Sequence, residues 1–368
     1  MSLESCKNLL LKAAAIVVGA AALAGTLLLV LGVAGGRGPL GRPHVAAAAR
    51  PQPFLPSLGS LVRIVDQVHA RTVRAHVRAV RRRYDPKPRT RSSATISLYE
   101  RTTSAVVVAR QGCLAAKRGA IGVVVLDFGK PAYVGHGFNH GYGTIDFSDR
   151  YLSDHRITIG MLGWARGYVR CLPRRSRAVV TLARGTSNYS PSVPSAWAAG
   201  QRWGRAVIAL GRKLHRQGFS AHVRSAAADD AEPAWDRGFR QTQLFIHGYR
   251  RYASGRTLYD YGSLDGGVGS IWNARQMMYV TGGAGHTAVL PEIYYPSLAR
   301  EWAQFAYVAH RQFHRRIHFA GVMTQVLPGC HRCGLGPHAA RRALVGALAS
   351  WGASRTPVPR GGTNIVRG

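Results

Sequence analysis

The residues best suited to chemistry lie in DDAEPAWD, residues 229–236, where Asp230 and Glu232 stand two apart. On an extended backbone, side chains at i and i+2 point the same way about 6.6 Å apart, so both carboxylates can face one substrate. Charge on Asp230 raises the pKa of Glu232 and keeps it protonated, which a general acid needs for glycosidic-bond cleavage. Taken alone, the segment reads equally well as a solvated acidic turn after a strand. Its company favours chemistry: among only 16 acidic residues, Asp127, Asp229, Asp230, Glu232, Asp260 and Glu292 stand at or just after the ends of apolar runs. Gathered carboxylates raise one another's ionisation cost, so the pattern points to function rather than stability. Rings stand beside them: Trp235 follows the motif, Tyr259 and Tyr261 flank Asp260, Trp272 follows a Gly-rich loop, and Tyr294 and Tyr295 follow Glu292. Each ring singly is ordinary core material; rings beside carboxylates suit a saccharide cleft. Glu232, Asp230 and Asp127 are therefore the catalytic candidates. Asp229, Trp235, Tyr259, Asp260, Tyr261, Trp272, Glu292 and Tyr294 are the candidates for binding substrate.

Positioning these residues requires strands that end together. AIGVVVLDFG (120–129) is β-branched and apolar throughout, as strands buried on both faces of a parallel sheet are. AVVTLARG (178–185), FSAHVRSAA (219–227), TLYDYG (257–262), QMMYVTGG (276–283), HTAVLPEIY (286–294) and IHFAGVMTQ (317–325) extend the series to about seven. Helical patterns lie between several of them: 195–218 opens on Ser195 as N-cap and stops at Gly218, and 296–313 opens at Pro296 and Ser297. Alternating strands and helices without a GxGxxG or GK[ST] loop favour a closed barrel over a nucleotide-binding open sheet. The fold class expected is α/β, a distorted TIM-like (β/α) barrel, the distortion falling at 257–283, where no full helix fits between two strands.

The rest of the 368-residue chain bounds the setting. A net charge of +34 implies adhesion to polyanions, but 44 of the 50 basic residues are arginines spread along the chain, as a GC-rich coding bias produces, and no zinc-finger, homeodomain or RNP-type motif is present. No specific nucleic-acid partner is expected. Residues 13–34 are uncharged and apolar, long enough to span a ~30 Å hydrocarbon layer and longer than a cleaved signal core. They read as an uncleaved membrane anchor within residues 1–36, although Ala46–Ala49 would suit cleavage. Residues 37–91 form a Pro-containing linker and, at 61–84, a basic amphipathic helix suited to anionic lipid or an acidic wall polymer, or serving as a solvated spacer. The barrel is expected over 92–355 and a tail over 356–368.

Arg37, Arg42 and Arg50 after the apolar run would by charge hold the chain in the cytosol. The cysteines argue for the outside. Beyond Cys6 there are four, and an even set past a translocation signal suits a disulfide-permissive compartment, with Cys113–Cys171 and Cys330–Cys333 the simplest of three connectivities. CHRC at 330–333 also reads as half of a zinc site, but no second ligand pair accompanies it, so neither metal nor cofactor is expected.

In order along the chain, LDFG (126–129), YGT (142–144), Cys171, GTSNY (185–189), DAEPAW (230–235), YDYG (259–262), LPEIY (290–294) and FAGVMTQ (319–325) resemble the secreted actinobacterial glycoside hydrolase-like barrels of unknown function, over about 96–355. More remotely the chain is similar to family-25 lysozymes. The resemblance implies a TIM-like barrel with Glu232 at the acid position, Asp230 as its partner and Asp127 at the first strand end. The expectation is an extracytoplasmic, membrane-anchored glycoside hydrolase-like protein acting on cell-wall polysaccharide, with peptidoglycan the candidate. The alternatives are a non-catalytic wall-glycan-binding barrel and an anionic-polymer adhesion protein.

Overall fold

A computed structural model of the chain describes residues 95–135, 140–283, 285–326, 334–353 and 355–368. The apolar run at 13–34, the basic segment at 61–84, and Cys330 and Cys333 lie outside the described residues. Among the described residues no helix is long and apolar enough to cross a membrane.

Strand and helix alternate from the first described residue. In chain order the elements are β1 (Thr95–Tyr99), α1 (Ala105–Lys117), β2 (Gly122–Asp127), β3 (Lys130–Val134), β4 (Gly141–Ile145), β5 (Tyr151–Ser153), α2 (Asp154–Cys171), β6 (Val180–Ser187), α3 (Ala196–Arg216) and β7 (Val223–Asp230). There follow α4 (Arg240–Ala253), β8 (Leu258–Asp260), α5 (Ala274–Met278) running into a π-helical turn at Tyr279–Gly283, β9 (Thr287–Val289), α6 (Pro296–Phe313), β10 (Met323–Thr324), α7 (Pro337–Ser350) and β11 (Thr363–Arg367). Eight strands form one parallel sheet in the order β10-β11-β1-β2-β6-β7-β8-β9. From β1 to β9 the order in space follows the order in the chain, as successive βαβ crossovers of one hand produce, and β11 and then β10 continue the sheet on the other side of β1. The sheet curls: isolated parallel bridges Val289–Phe319 and Glu292–Met323 tie its β9 edge to the segment that leads into β10. β3, β4 and β5 make a separate antiparallel sheet inserted directly after β2.

Side-chain alternation divides the strands between two environments. Val125, Ala183, Ala226, Ala228, Tyr259, Tyr261, Ala288, Leu290, Met323 and Ile365 pack together on the inner face. The opposite parity, Val124 and Leu182 on one side and Ala227, Leu258 and Val289 on the other, packs against the helices. Alanines on β6, β7 and β9 leave the inner volume for the Tyr259 and Tyr261 rings. The helices approach closely in turn. At the α3–α4 crossing a Cβ on Gly200 would lie 2.0 Å from the Phe245 carbonyl oxygen, and one on Gly248 would lie 2.1 Å from that of Trp197.

The expected helices hold: Ser195 Oγ accepts the Ala198 N–H at 3.3 Å, and Pro296 opens α6. The Cys113–Cys171 disulfide forms, joining α1 to α2. Three expectations are corrected. QMMYVTGG is helical rather than a strand, because Asn273 and Gln276 form a reciprocal capping box that starts α5. The strand expected at 219–227 lies at 223–230, since Phe219–His222 turns back on its own backbone, and Asp229 and Asp230 are thereby inside the strand rather than in a turn after it. Residues 356–368 are no tail: β11 pairs in parallel with β1 along its whole length.

Two stability predictions follow from this packing. Gly200→Ala gains about 1 kcal/mol of helix propensity but forces the α3–α4 crossing apart at a cost of about 1–3 kcal/mol. Urea unfolding is expected to show net destabilisation. Replacing Cys113 and Cys171 by Ser is expected to lower stability by about 2–4 kcal/mol, since the bond closes a loop of 58 residues in the unfolded chain.

Candidate active site

The site is built where the parallel strands end. Register sets Tyr99 beside Asp127 and Asp127 beside Gly185. It likewise sets Asp230 beside Ser187 and Asp229 beside Asp260. Parity then sorts the acids. Asp127 continues the inward row of Val125, and Asp230 that of Ala226 and Ala228. Asp229 and Asp260 continue the outward rows of Ala227 and Leu258. Glu232, just past β7, and Glu292, just past β9, join the inward set: the charge of Glu232 is the leading electrostatic influence on Glu292, and that of Glu292 is the leading one on Asp230. The mouth thus gathers Asp127, Asp230, Glu232 and Glu292 with Tyr99, Tyr261 and Tyr294.

Burial dominates the electrostatics. Asp127 is buried and its carboxyl is pushed up to about 7, although the Gly129 N–H donates to its Oδ1 at 2.8 Å. Its Oδ2, and the Oδ1 of Asp230, have no hydrogen-bond partner among the described residues. Asp230 and Glu292 are driven well above the carboxylate range, first by burial and then by neighbouring carboxylates. Half-buried Glu232 is raised to about 7 by burial and by the charge of Asp265, with hydrogen bonding from Ser263 opposing part of the rise. The Tyr294 hydroxyl donates to Glu292 Oε1, and the Tyr261 hydroxyl to the Thr186 carbonyl at 3.2 Å. No Lys, Arg or His side chain is paired with any of these carboxylates among the described residues. At near-neutral pH such a mouth holds protons that it can donate.

Asn188 fixes the segment carrying Glu232. Its Oδ1 accepts the Glu232 N–H at 3.0 Å, and its Nδ2 donates to the Glu232 carbonyl and to Thr242 Oγ1, each at 3.0 Å. A second tie comes from the β8 loop, where Asp265 Oδ2 accepts the Ala234 N–H at 2.7 Å. Beside this segment the exposed ring of Tyr189 meets Trp235 edge-on at 5.4 Å, with Lys130 Nζ 5.5 Å from the Tyr189 centroid. On the β1 side the exposed Phe147, from the loop between β4 and β5, packs edge-on against Tyr99 at 4.8 Å.

Several candidates fall outside the mouth. Trp272 is 2% exposed, packs on Phe239 and donates its indole N–H to the Asp236 carbonyl at 2.7 Å, so it is a core ring that holds the turn before α4. Tyr259 lies one inward layer below Tyr261, deep among the inner-face residues. Asp229 faces α3 and α4 beside Asn188, Thr242 and Phe245, with both oxygens unpartnered among the described residues and its pKa raised to about 8 by burial. Asp260 accepts the Gly262 N–H at 3.3 Å and orders the turn after β8. For Asp229 and Asp260 the reason is parity: the neighbours of an inward residue on a strand point outward. Tyr99, Asn188, Tyr189 and Phe147 join the site without standing out as chemistry-bearing residues in the sequence. Tyr189 and Asn188 belong to the GTSNY motif at a strand end, which was the signal available for them. Among the described residues no cluster of His, Cys, Asp or Glu has the geometry to hold a metal ion. No protein-family model and no curated protein matches this chain.

The raised carboxyls make stability depend on pH with a definite sign. The folded state keeps protons that the unfolded chain releases above about pH 4, so this contribution is complete below that range and is lost as pH rises through about 7–8. The urea midpoint is expected to fall between about pH 5 and about pH 8, and Asp229→Asn to flatten that slope. Asn188→Ala strands the Glu232 N–H and the Thr242 hydroxyl contact; the expected cost is about 1–3 kcal/mol, read as a lowered urea midpoint.

Proposed function

We propose that this mouth is a carbohydrate site with glycosidase-type acid chemistry, in which Glu232 protonates the leaving oxygen of a wall polysaccharide, peptidoglycan being the candidate. One observation carries the reading: a carboxyl with its pKa raised to about 7 belongs to the same segment as the Tyr189–Trp235 ring pair, Asn188 and the Trp235 N–H both bonding to the Glu232 backbone, within a set of carboxylates that pair with no Lys, Arg or His among the described residues. A general acid performs best when its pKa lies near the working pH, and burial together with a carboxylate neighbour is the ordinary way to raise a Glu that far. Asp230 and Glu292, which keep their protons, donate hydrogen bonds to the sugar, and Asp127, raised to about 7 and so partly ionised near neutral pH, stabilises positive charge at the anomeric carbon or positions water. The rings offer flat faces to the C–H side of a pyranose. On this reading the curled sheet is a distorted TIM-like barrel, whose catalytic residues gather at the C-terminal strand ends. The setting proposed is extracytoplasmic, with the apolar segment at 13–34 as membrane anchor and the arginine-rich surface adding affinity for anionic wall polymers.

A second reading, a glycan-binding barrel without turnover, is favoured by the depth of Asp230 and Glu292. Buried carboxyls that keep their protons donate hydrogen bonds to sugar hydroxyls as well as to a leaving group. The two readings separate experimentally. With purified wall polysaccharides, the full chain in neutral detergent is expected to release new reducing ends detectable by mass spectrometry, and Glu232→Gln to lower that rate by about 10²–10⁴-fold while leaving the fold intact. Saturable wall binding without new ends, unaffected by Glu232→Gln and weakened by Trp235→Ala, would establish the binding module instead.

A further inference from the structure

A cavity of about 520 Å³ opens at the other end of β7, lined by the last turns of α3, the start of β7 and the turn after α4. Its volume falls within the ~300–1,000 Å³ range of small-molecule sites. Ser225 lies five residues before Asp230, about 16 Å along the strand, so one small ligand cannot occupy both places. The lining combines Arg212, His215 and Arg216 from α3 with Arg256 from the turn after α4, over an apolar wall of Leu214 and Val223. No carboxylate lines it, and none pairs with these arginines among the described residues.

Basic residues at a helix C-terminus have an ordinary explanation, since they complement the negative end of the helix dipole. That accounts for Arg212, His215 and Arg216 on α3 but not for Arg256, which comes from a different element. Nor does it account for Ser225. This residue is 5% exposed, points to the helix side of β7, lines the cavity, and its Oγ has no hydrogen-bond partner among the described residues. The two groups converge: measured from an ideal Cβ on Gly211, Ser225 Oγ lies 2.7 Å away and Arg256 Nη2 3.2 Å away. A buried hydroxyl without a partner, guanidinium donors from two elements and an apolar wall together describe an anion site with room for an organic remainder. Tetrahedral phosphate matches guanidinium forks best, because it offers several oxygens to donors arriving from different directions.

We infer that the cavity between α3, β7 and the turn after α4 binds the phosphate group of a small organic phosphate ester, with Arg256, Arg212 and Ser225 as ligands. The assignment is independent of the chemistry proposed for the mouth.

Calorimetric titration of the full chain in neutral detergent tests it, with glycerol 3-phosphate as monoester probe and glycerophosphoglycerol as the diester of a lipid headgroup or polymer repeat. Glycerol is the control. One-to-one saturable binding of either ester and none of glycerol is expected, and the tighter ester identifies the source. Arg256→Gln and Arg212→Gln should each weaken binding at least tenfold. Arg311→Gln, an exposed arginine of α6 outside the cavity, should leave it unchanged. Because Arg212 is exposed on its helix, its variant keeps the test decisive if Arg256→Gln fails to fold. Absence of saturation by both esters, or equal weakening in all three variants, would overturn the assignment.

Discussion

Burying carboxylates together without a cation is costly, and the arrangement around the mouth follows from how that cost is met. Asp127, Asp230 and Glu292 are each at most 5% exposed and share one end of the sheet. Ionised, each would lose its hydration and repel the others; protonated, each becomes a modest hydrogen-bonding group. Tyr261 and Tyr294 suit that state because a hydroxyl can either donate or accept. The net charge of +34 does not reverse the outcome. Surface guanidinium groups beyond a Debye length of about 10 Å are screened, whereas desolvation acts on the carboxyl itself.

The constraint reaches the scaffold through register. Six strand ends must come level for these side chains to meet, and ladder pairing along β1, β2, β6 and β7 achieves this at the first four. At the β8 and β9 ends the strands are only three residues long, and the following segments take over: Tyr261 N–H donates to the Asp229 carbonyl, and the Leu290 N–H to that of Asp260. Outside the sheet, Arg184 binds two helices to β6. Its buried guanidinium stacks 3.9 Å from the Trp203 ring of α3 and pairs with Asp154 at the first residue of α2. That acid also favours the positive N-terminal end of its helix. Charge is thus paired around Arg184 in the outer layer, whereas the inner carboxyls, and Asp229 on the helix side, are held protonated by burial.

The two ends of β7 carry opposite chemistry, acids at and just past its last residues and arginines around its first. A strand of eight residues keeps them apart, so ligands of opposite polarity need not compete. The inserted sheet of β3, β4 and β5 shapes only the acidic end, because it leaves the chain directly after Asp127 and delivers Phe147 to Tyr99.

The α/β alternation, the strand at 120–129 and the helices at 195–218 and 296–313 were legible in the sequence, since apolar periodicity and capping residues are local signals. So was the acid content of the mouth, because carboxylates at the ends of apolar runs stand out in a chain with so few. What tertiary structure decided was which way each side chain points and which short segments become strands. Thr95–Tyr99 alternates hydroxyl and apolar residues, Thr363–Arg367 mixes polar ends with two apolar residues, and neither carries much strand signal alone. They pair because Ser97 Oγ and Thr363 Oγ1 meet at 2.8 Å and the Val125 N–H donates to Ser97 at 2.8 Å, partners hundreds of residues or one strand away. Asp229 and Asp230 are adjacent, chemically identical and opposite in fate, one against the helices and one in the mouth. A one-residue shift in register would exchange them, and register is set by the neighbouring strands rather than by the acids themselves.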